Sequence, residues 1–166
     1  KLAWMNGQYL RALDAATYTV ALRRYLEDAG SSLAGAARLD ELVPVVQEKL
    51  GAFGEFDALV GSLLESREPD AESWQKLLKD EDAARILDVA IVSLSALPAW
   101  TVENVESALR AVCEELELKP RQAFLPIRIA IAGSTVAAGL YESIAFLGLE
   151  ASLARLQHAR TALADV

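Results

Sequence analysis

At 166 residues the chain can form one compact domain or two small ones, burying roughly 70% of the surface its unfolded form would expose. A hydrophobic share of 53% dominated by Ala and Leu, with mean hydropathy +0.22, favours packed helices, because alternating β-branched segments are nearly absent. The single cysteine, Cys113, excludes an internal disulfide, and the net charge of −8 describes an acidic body.

In chain order, Asn6-Gly7 within Lys1–Leu13 is a turn signal between two short apolar patches. Asp14–Ala29 reads as a helix with Val20, Leu22, Tyr25 and Leu26 inward and Gly30 as its stop. Positions 39, 43, 46 and 50 form a helical apolar stripe in which Pro44 marks either the helix start or a kink. Phe53–Leu64 looks like another helix. The charged, Pro69-containing stretch Glu65–Glu72 is the expected boundary between two helical subdomains, 1–67 and 70–166. Asp82–Leu97 places Ala83, Ile86, Ala90, Ile91, Leu94 and Leu97 on one face, with Val89 and Val92 adding apolar character to the other, so this helix should be central. The window from Ile86 to Trp100 is interrupted by Asp88, Ser93, Ser95 and Pro98 and is too short to span a bilayer. Thr101 is a good N-cap for a helix carrying Val102, Val105, Leu109, Val112 and Leu116 inward and Glu103, Glu106, Arg110, Glu114 and Glu117 outward. Pro120 suits a first turn of a helix running to Gly133, Leu140–Leu147 ends at Gly148, and Glu150–Ala164 closes an all-α architecture.

The charge is unevenly spread. Residues 1–69 carry 7 basic and 10 acidic side chains, residues 70–117 carry 4 and 11, and residues 118–166 carry 5 and 3. Leu118–Tyr141 contains Lys119, Arg121 and Arg128 and no acid, the longest acid-free window in the chain. A basic island on an acidic body is what a polyanion site needs when nonspecific sticking must stay low. Charge alone does not say which anion, and a helical interaction module docking an acidic protein partner fits it as well.

Catalytic chemistry is hard to find. There is no glycine-rich phosphate loop, and one His and one Cys far apart do not supply a metal site. His158, between Arg155 and Arg160, reads as a surface residue, and Cys113 as a small buried thiol. Glu114 and Glu115 are adjacent on a helix, so they point apart and cannot share a proton. Trp4, Trp74 and Trp100 read as packing residues.

Two segments carry a family resemblance. KLAWMNGQYLR at 1–11 resembles the KLxWMNGxYIR block of bacterial-type glutamyl-tRNA synthetases. KPRQAFLPIRIAIAGSTVAAGLYESIAFLG at 119–148 resembles their C-terminal block, roughly KPRxxFxPLRxAxTGSxxSPGLFExxxLLG, and LVPVVQEKL at 42–50 fits the LIPLxxER block between them. The family's HIGH-type and KMSKS-type signatures are missing. The resemblance therefore implies the C-terminal, all-helical anticodon-binding region of a class I synthetase, in two subdomains. A chain starting at Lys1 is expected to be a piece of a longer, cytoplasmic polypeptide whose upstream catalytic and stem-contact domains activate glutamate with ATP and Mg. No cofactor is expected in the fragment itself, its partner is tRNA, and no membrane is involved. Asn6, Gly7 and Tyr9 are expected to hold the junction with the stem-contact domain.

The same resemblance assigns candidate site residues. Arg128 matches the Arg of the family's PLR motif, which contacts the anticodon; its flat guanidinium can stack on a splayed base and donate to base edges. The competing role is an Arg that snorkels to an acidic neighbour. Gly133-Ser134-Thr135, read as preceding a helix, offers N–H groups and hydroxyls to bases or phosphates, or is a plain cap. Ala137-Ala138 replaces the family's Ser/Thr-Pro, so a hydroxyl contact made there would be lost. Leu140 matches a residue that packs on an anticodon base, with core packing as the alternative. Lys119 and Arg121 suit the phosphate backbone. At the position of Lys49 an Arg reads the last anticodon base in enzymes restricted to glutamate tRNA, and enzymes that also charge glutamine tRNA lack it. Lysine, a point charge without the bidentate fork, should separate cytosine from guanine poorly, implying a relaxed enzyme; a solvated helix-end lysine is the other reading.

Overall fold

In a computed structural model the chain is described over residues 2–165, with side chains from position 6 onward. Trp4 therefore lies outside the described side chains. Every regular element among the described residues is helical, and none of these helices is long and apolar enough to cross a membrane. The chain separates into two compact units, Lys1–Ser66 and Arg67–Val166.

The first unit holds α1 (Leu2–Ala12), α2 (Ala15–Asp28), α3 (Leu39–Val46) and α4 (Phe56–Leu64), with 3₁₀ turns at Ser32–Gly35 and Phe53–Glu55. The carboxylate of Asp14 caps α2 by accepting from the Thr17 amide at 3.0 Å and the Thr17 hydroxyl at 2.6 Å. These bonds hold the Asp14 carboxyl below the usual carboxylate range. Gly30 stops the chain at φ +66°. The buried stripe of α2 is Tyr18, Leu22 and Leu26, spaced by four. Val20 is two residues, roughly 200° around the helix, from Tyr18, so it points outward at 68% exposure instead of inward. Tyr25 is likewise half-exposed and packs its ring on Phe53.

Residues 39, 43, 46 and 50 are all buried. Pro44 neither starts this helix nor sits in its first turn: α3 begins at Leu39 and includes it. The missing N–H leaves the Asp40 carbonyl without its helical donor. The expected turn at Asn6-Gly7 is also absent, because α1 runs through it. The Asn6 amide instead donates to the Gly51 carbonyl at 2.8 Å, and a tie of this kind outweighs the roughly 1 kcal/mol that Gly costs inside a helix. Arg23 joins α2 to the first 3₁₀ turn and to α3 by donating to the Ala34 carbonyl at 2.7 Å and to Asp40 at 2.6 Å. The side-chain amide of Gln47 donates to the carbonyls of Leu10 and Leu13.

The second unit holds α5 (Ala71–Leu78), α6 (Ala83–Ser95), α7 (Val102–Glu115), α8 (Pro120–Ala132), α9 (Leu140–Leu147) and α10 (Leu149–Ala164). Helix α6 is central, packing on α7, α8 and α10, with Ala83, Ile86, Leu87, Ala90 and Leu94 buried; Val92 faces outward. The Thr101 hydroxyl caps α7 by accepting from the Asn104 amide at 3.2 Å. Val105, Leu109 and Val112 are buried below it, and Arg110 pairs with Glu106 at 2.7 Å on the solvated face. Gly148, at φ +82°, is the one residue between α9 and α10. The carbonyl of Ile144 receives the Gly148 amide at 3.1 Å, the Trp100 indole at 3.1 Å and the Ser152 hydroxyl at 3.2 Å, which satisfies the exposed end of α9. Helix α5 has no counterpart in the periodic reading, because its cap, Asp70, falls in the stretch that reads as a charged boundary.

The core of the first unit contains an unpaid polar group. Tyr18 is fully buried with its ring edge-on to Phe53 at 5.2 Å, and its hydroxyl has no hydrogen-bond partner among the described residues. Burial pushes this phenol up to about 12. Tyr18→Phe keeps the ring contact and removes the unpaired hydroxyl, so urea denaturation should show stability unchanged or raised by about 1 kcal/mol. A loss of that size would show that the hydroxyl is satisfied in solution.

Candidate nucleic-acid interface

The acid-free stretch is helix α8 and the loop after it. Pro120 occupies the first helical position, where its missing N–H costs nothing. The Gln122 side chain accepts from the Lys119 amide at 3.3 Å. No acid lies in this first turn, so Lys119 and Arg121 add positive charge to the positive end of the helix dipole, a placement that favours an arriving anion. Arg121 lines a cleft with Asp80, Asp82, Ile86, Gln122 and Leu125, so two carboxylates partly offset its field. Seven residues separate Arg121 from Arg128, about 10 Å along one helix face. Leu125, on the same face, is partly exposed.

Helix α8 ends at Gly133, whose φ of +71° is the left-handed C-cap a glycine adopts freely. Three ties then fix the loop. The Gly133 carbonyl accepts from the Asp70 amide at 2.7 Å. The Thr135 amide donates to the Ser73 hydroxyl oxygen at 3.0 Å. Arg128 donates from Nη1 to the Ala138 carbonyl at 2.9 Å.

This geometry changes the sequence expectation. Gly133-Ser134-Thr135 follows the C-terminus of α8 and does not open the next helix, which starts at Leu140. The Thr135 amide is held by Ser73, and the Val136 amide donates to the Ser134 hydroxyl at 3.1 Å, so neither is free for a ligand. Leu140, at 4% exposure, sits in the core cluster with Ile144. Its side chain packs inward one turn before Ile144, the core-packing role that the sequence left as the alternative. Ala137 and Thr135 are partly buried, while Val136 is 59% exposed.

Arg128 is partly buried, and its one hydrogen bond among the described residues is to a carbonyl, with no carboxylate within ion-pair distance. Five other arginines differ. Arg23, Arg38, Arg85, Arg110 and Arg160 are each bonded to an Asp or Glu. No acidic neighbour of the kind the competing role invoked is paired with Arg128 among the described residues. Lys119, Arg121 and Arg128 thus form a run of cations without salt bridges among the described residues. Arg128, Thr135 and Ala137 meet at one loop, whereas Lys119 and Arg121 stand at the other end of α8. Lys49 belongs to the first unit, exposed in the turn after α3, where its amide donates to the Val46 carbonyl at 2.9 Å.

Two residues of this region escape a reading of the sequence. Val136 carries no pattern that marks it. Ser73 does leave a signal, since Asp70 with Ser73 three residues on is cap spacing, and the Asp70 carboxylate accepts from the Ser73 amide at 2.8 Å. The remaining nucleophile and base candidates are occupied structurally. Cys113 is buried and donates to the Leu109 carbonyl at 3.4 Å, with burial raising its thiol. His158 is exposed and stacks on Trp74 at 5.8 Å.

The family model described as anticodon binding domain matches residues 12–160. The chain belongs to that family. It is 38% identical to a glutamate–tRNA ligase of Kocuria rhizophila over 99% of this chain and 34% of that protein. It is 40% identical to a glutamate–tRNA ligase of Acidothermus cellulolyticus, with the same coverage of 99% and 34%. The chain spans about a third of the length of these curated relatives. Among solved structures, a glutamate tRNA ligase from Elizabethkingia meningosepticum, crystallised in complex with its amino acid, superposes with a TM-score of 0.78. That match is 14% identical and covers 97% of this chain and 32% of the other, a likeness of fold.

The loop geometry makes a stability prediction. An ideal Cβ at Gly133 would lie 3.2 Å from the Cα of Pro69, on a residue already at positive φ. Gly133→Ala should therefore cost about 1–2 kcal/mol, seen as a lower midpoint in urea denaturation. An unchanged midpoint would mean the turn relaxes freely.

Proposed function

We propose that this chain reads the anticodon of tRNA as part of a glutamate–tRNA ligase, with Arg128 as its central contact. The observation that carries the reading is the state of Arg128. It stands partly buried beside the 133–138 loop, with one N–H committed to the Ala138 carbonyl and no carboxylate neutralising it. A guanidinium has five donors in a plane, so four remain for base-edge acceptors, and the flat face remains for stacking on an unstacked base. Thr135 and Ala137 flank the same loop, and the exposed Val136 adds an apolar surface against which a base can pack. Lys119 and Arg121 contribute phosphate contacts, which position the RNA without reading its sequence.

In this reading the chemical step belongs to other domains of the ligase. Among the described residues no three His, Cys, Asp or Glu side chains are grouped to hold a metal ion, and the sequence has no glycine-rich phosphate loop. In the proposed ligase, upstream catalytic and stem-contact domains would bind ATP and activate glutamate.

Fluorescence anisotropy with a labelled anticodon stem-loop tests the proposal. Arg128→Ala should weaken binding by about 1–3 kcal/mol, and Arg128→Lys should recover little, because a point charge neither stacks nor forks. Affinity of the unaltered chain should fall with rising salt, with a slope of about −0.7 per phosphate contacted. Equal binding by wild type and Arg128→Ala would remove Arg128 from the site. Preference for an acidic protein surface over RNA would favour a protein-docking module instead.

Lys49 supports a finer proposal, a relaxed choice between glutamate and glutamine tRNA. Its ammonium is a point donor that cannot bridge two acceptors in a plane. Stem-loops differing only in a final anticodon cytosine or guanine should bind within about tenfold of each other. Lys49→Arg should widen that ratio; a large preference in the unaltered chain would refute relaxed selection.

A further inference from the structure

One of the residues that fasten the proposed anticodon loop is buried away from solvent. Ser73 is 2% exposed, one of the few buried polar side chains. Its oxygen accepts from the Thr135 amide at 3.0 Å. Its own amide donates to the Asp70 carboxylate at 2.8 Å, and interaction with Ser73 holds that carboxyl below the usual range. A backbone N–H only donates, so the serine oxygen serves Thr135 as an acceptor. The Asp70 amide in turn donates to the Gly133 carbonyl at 2.7 Å. Two residues at the start of α5 thus fix loop positions 133 and 135, and Arg128 fixes position 138.

We propose that Ser73 is a positioning residue for anticodon recognition, setting the 134–138 loop through the Thr135 amide without touching RNA. This rests on the reading of Arg128 given above. Ser73 and Arg128 hold the loop on either side of Val136 and Ala137, the stretch presented to solvent. Without Ser73 the Thr135 amide loses its buried partner, and the first half of the loop is held only through Gly133. RNA binding then carries the entropy of ordering that stretch. Arg128, which must both hold Ala138 and meet a base, faces a loop with more than one arrangement.

The chain with Ser73→Ala tests this, compared with Ser73→Cys, a similar shape with a weak acceptor, and with Thr101→Ala. The last removes a comparable cap bond from α7 with no link to the loop. Three quantities are read: stem-loop affinity, discrimination between matched and altered anticodons, and hydrogen exchange at the Thr135 amide. Ser73→Ala should bind about three- to tenfold more weakly, lose discrimination by a similar factor, keep the salt slope and exchange faster at Thr135. Ser73→Cys should fall between it and wild type, and Thr101→Ala should bind as wild type. Faster exchange at Thr135 with unchanged affinity, or equal weakening by Ser73→Ala and Thr101→Ala, would overturn the positioning role while leaving the anticodon reading intact. A wild-type chain that does not distinguish anticodons would remove both.

Discussion

The left-handed turn at Gly133 decides what the acid-free part of this chain can do. Helix α8 delivers the guanidinium of Arg128 almost at its own end, and the turn folds the next residues back so that the Ala138 carbonyl lies within 2.9 Å of it. A longer helix would carry the chain away from Arg128 and leave a partly buried cation with no oxygen at all. A protein rarely keeps such a group unless something outside the fold completes its shell, because desolvating charge without partners is costly. Arg155 offers a comparison. It too is partly buried, burial lowers its affinity for a proton, and it donates to the Ile131 carbonyl at 2.6 Å, inside the fold.

Charge distribution works in the same direction over a longer range. The outward face of α7 carries Glu103, Glu106 and Glu114, and the loop before α6 carries Asp80, Glu81 and Asp82. Polyanions are repelled from such surfaces, whereas α8 and its cap carry three cations and no acid. Asp80 and Asp82 line a cleft together with Arg121, so acid borders this basic track. A track bordered in this way favours geometry over bulk charge, which suits recognition of a few splayed nucleotides.

How much of this is legible in the sequence depends on what each signal measures. Helices α6, α7, α9 and α10 are readable because their apolar period and their caps, Thr101 and Gly148, agree with one another. Asn6-Gly7 misleads because a turn signal is local, whereas the bond from Asn6 to Gly51 spans 45 positions. Val20 misleads because hydrophobicity does not by itself fix a face; the spacing of Tyr18, Leu22 and Leu26 does. The order of α8, Gly133 and Leu140 is visible, yet Gly-Ser-Thr suits either helix terminus, and placing it at the wrong one reverses which of its N–H groups are free. Arg128 is legible through family motifs, but the absence of an acidic neighbour in space is not. Ser73 acts across 62 positions, a distance no periodic pattern reaches.

Isotope-edited NMR of the chain titrated with an anticodon stem-loop tests the central claim most directly. The account predicts that the Arg128 side-chain Nε–H and the amides of Ser134 to Ala138 shift first and saturate together, with smaller changes at Lys119 and Arg121. Saturable binding that leaves the Arg128 and loop signals in place would contradict it.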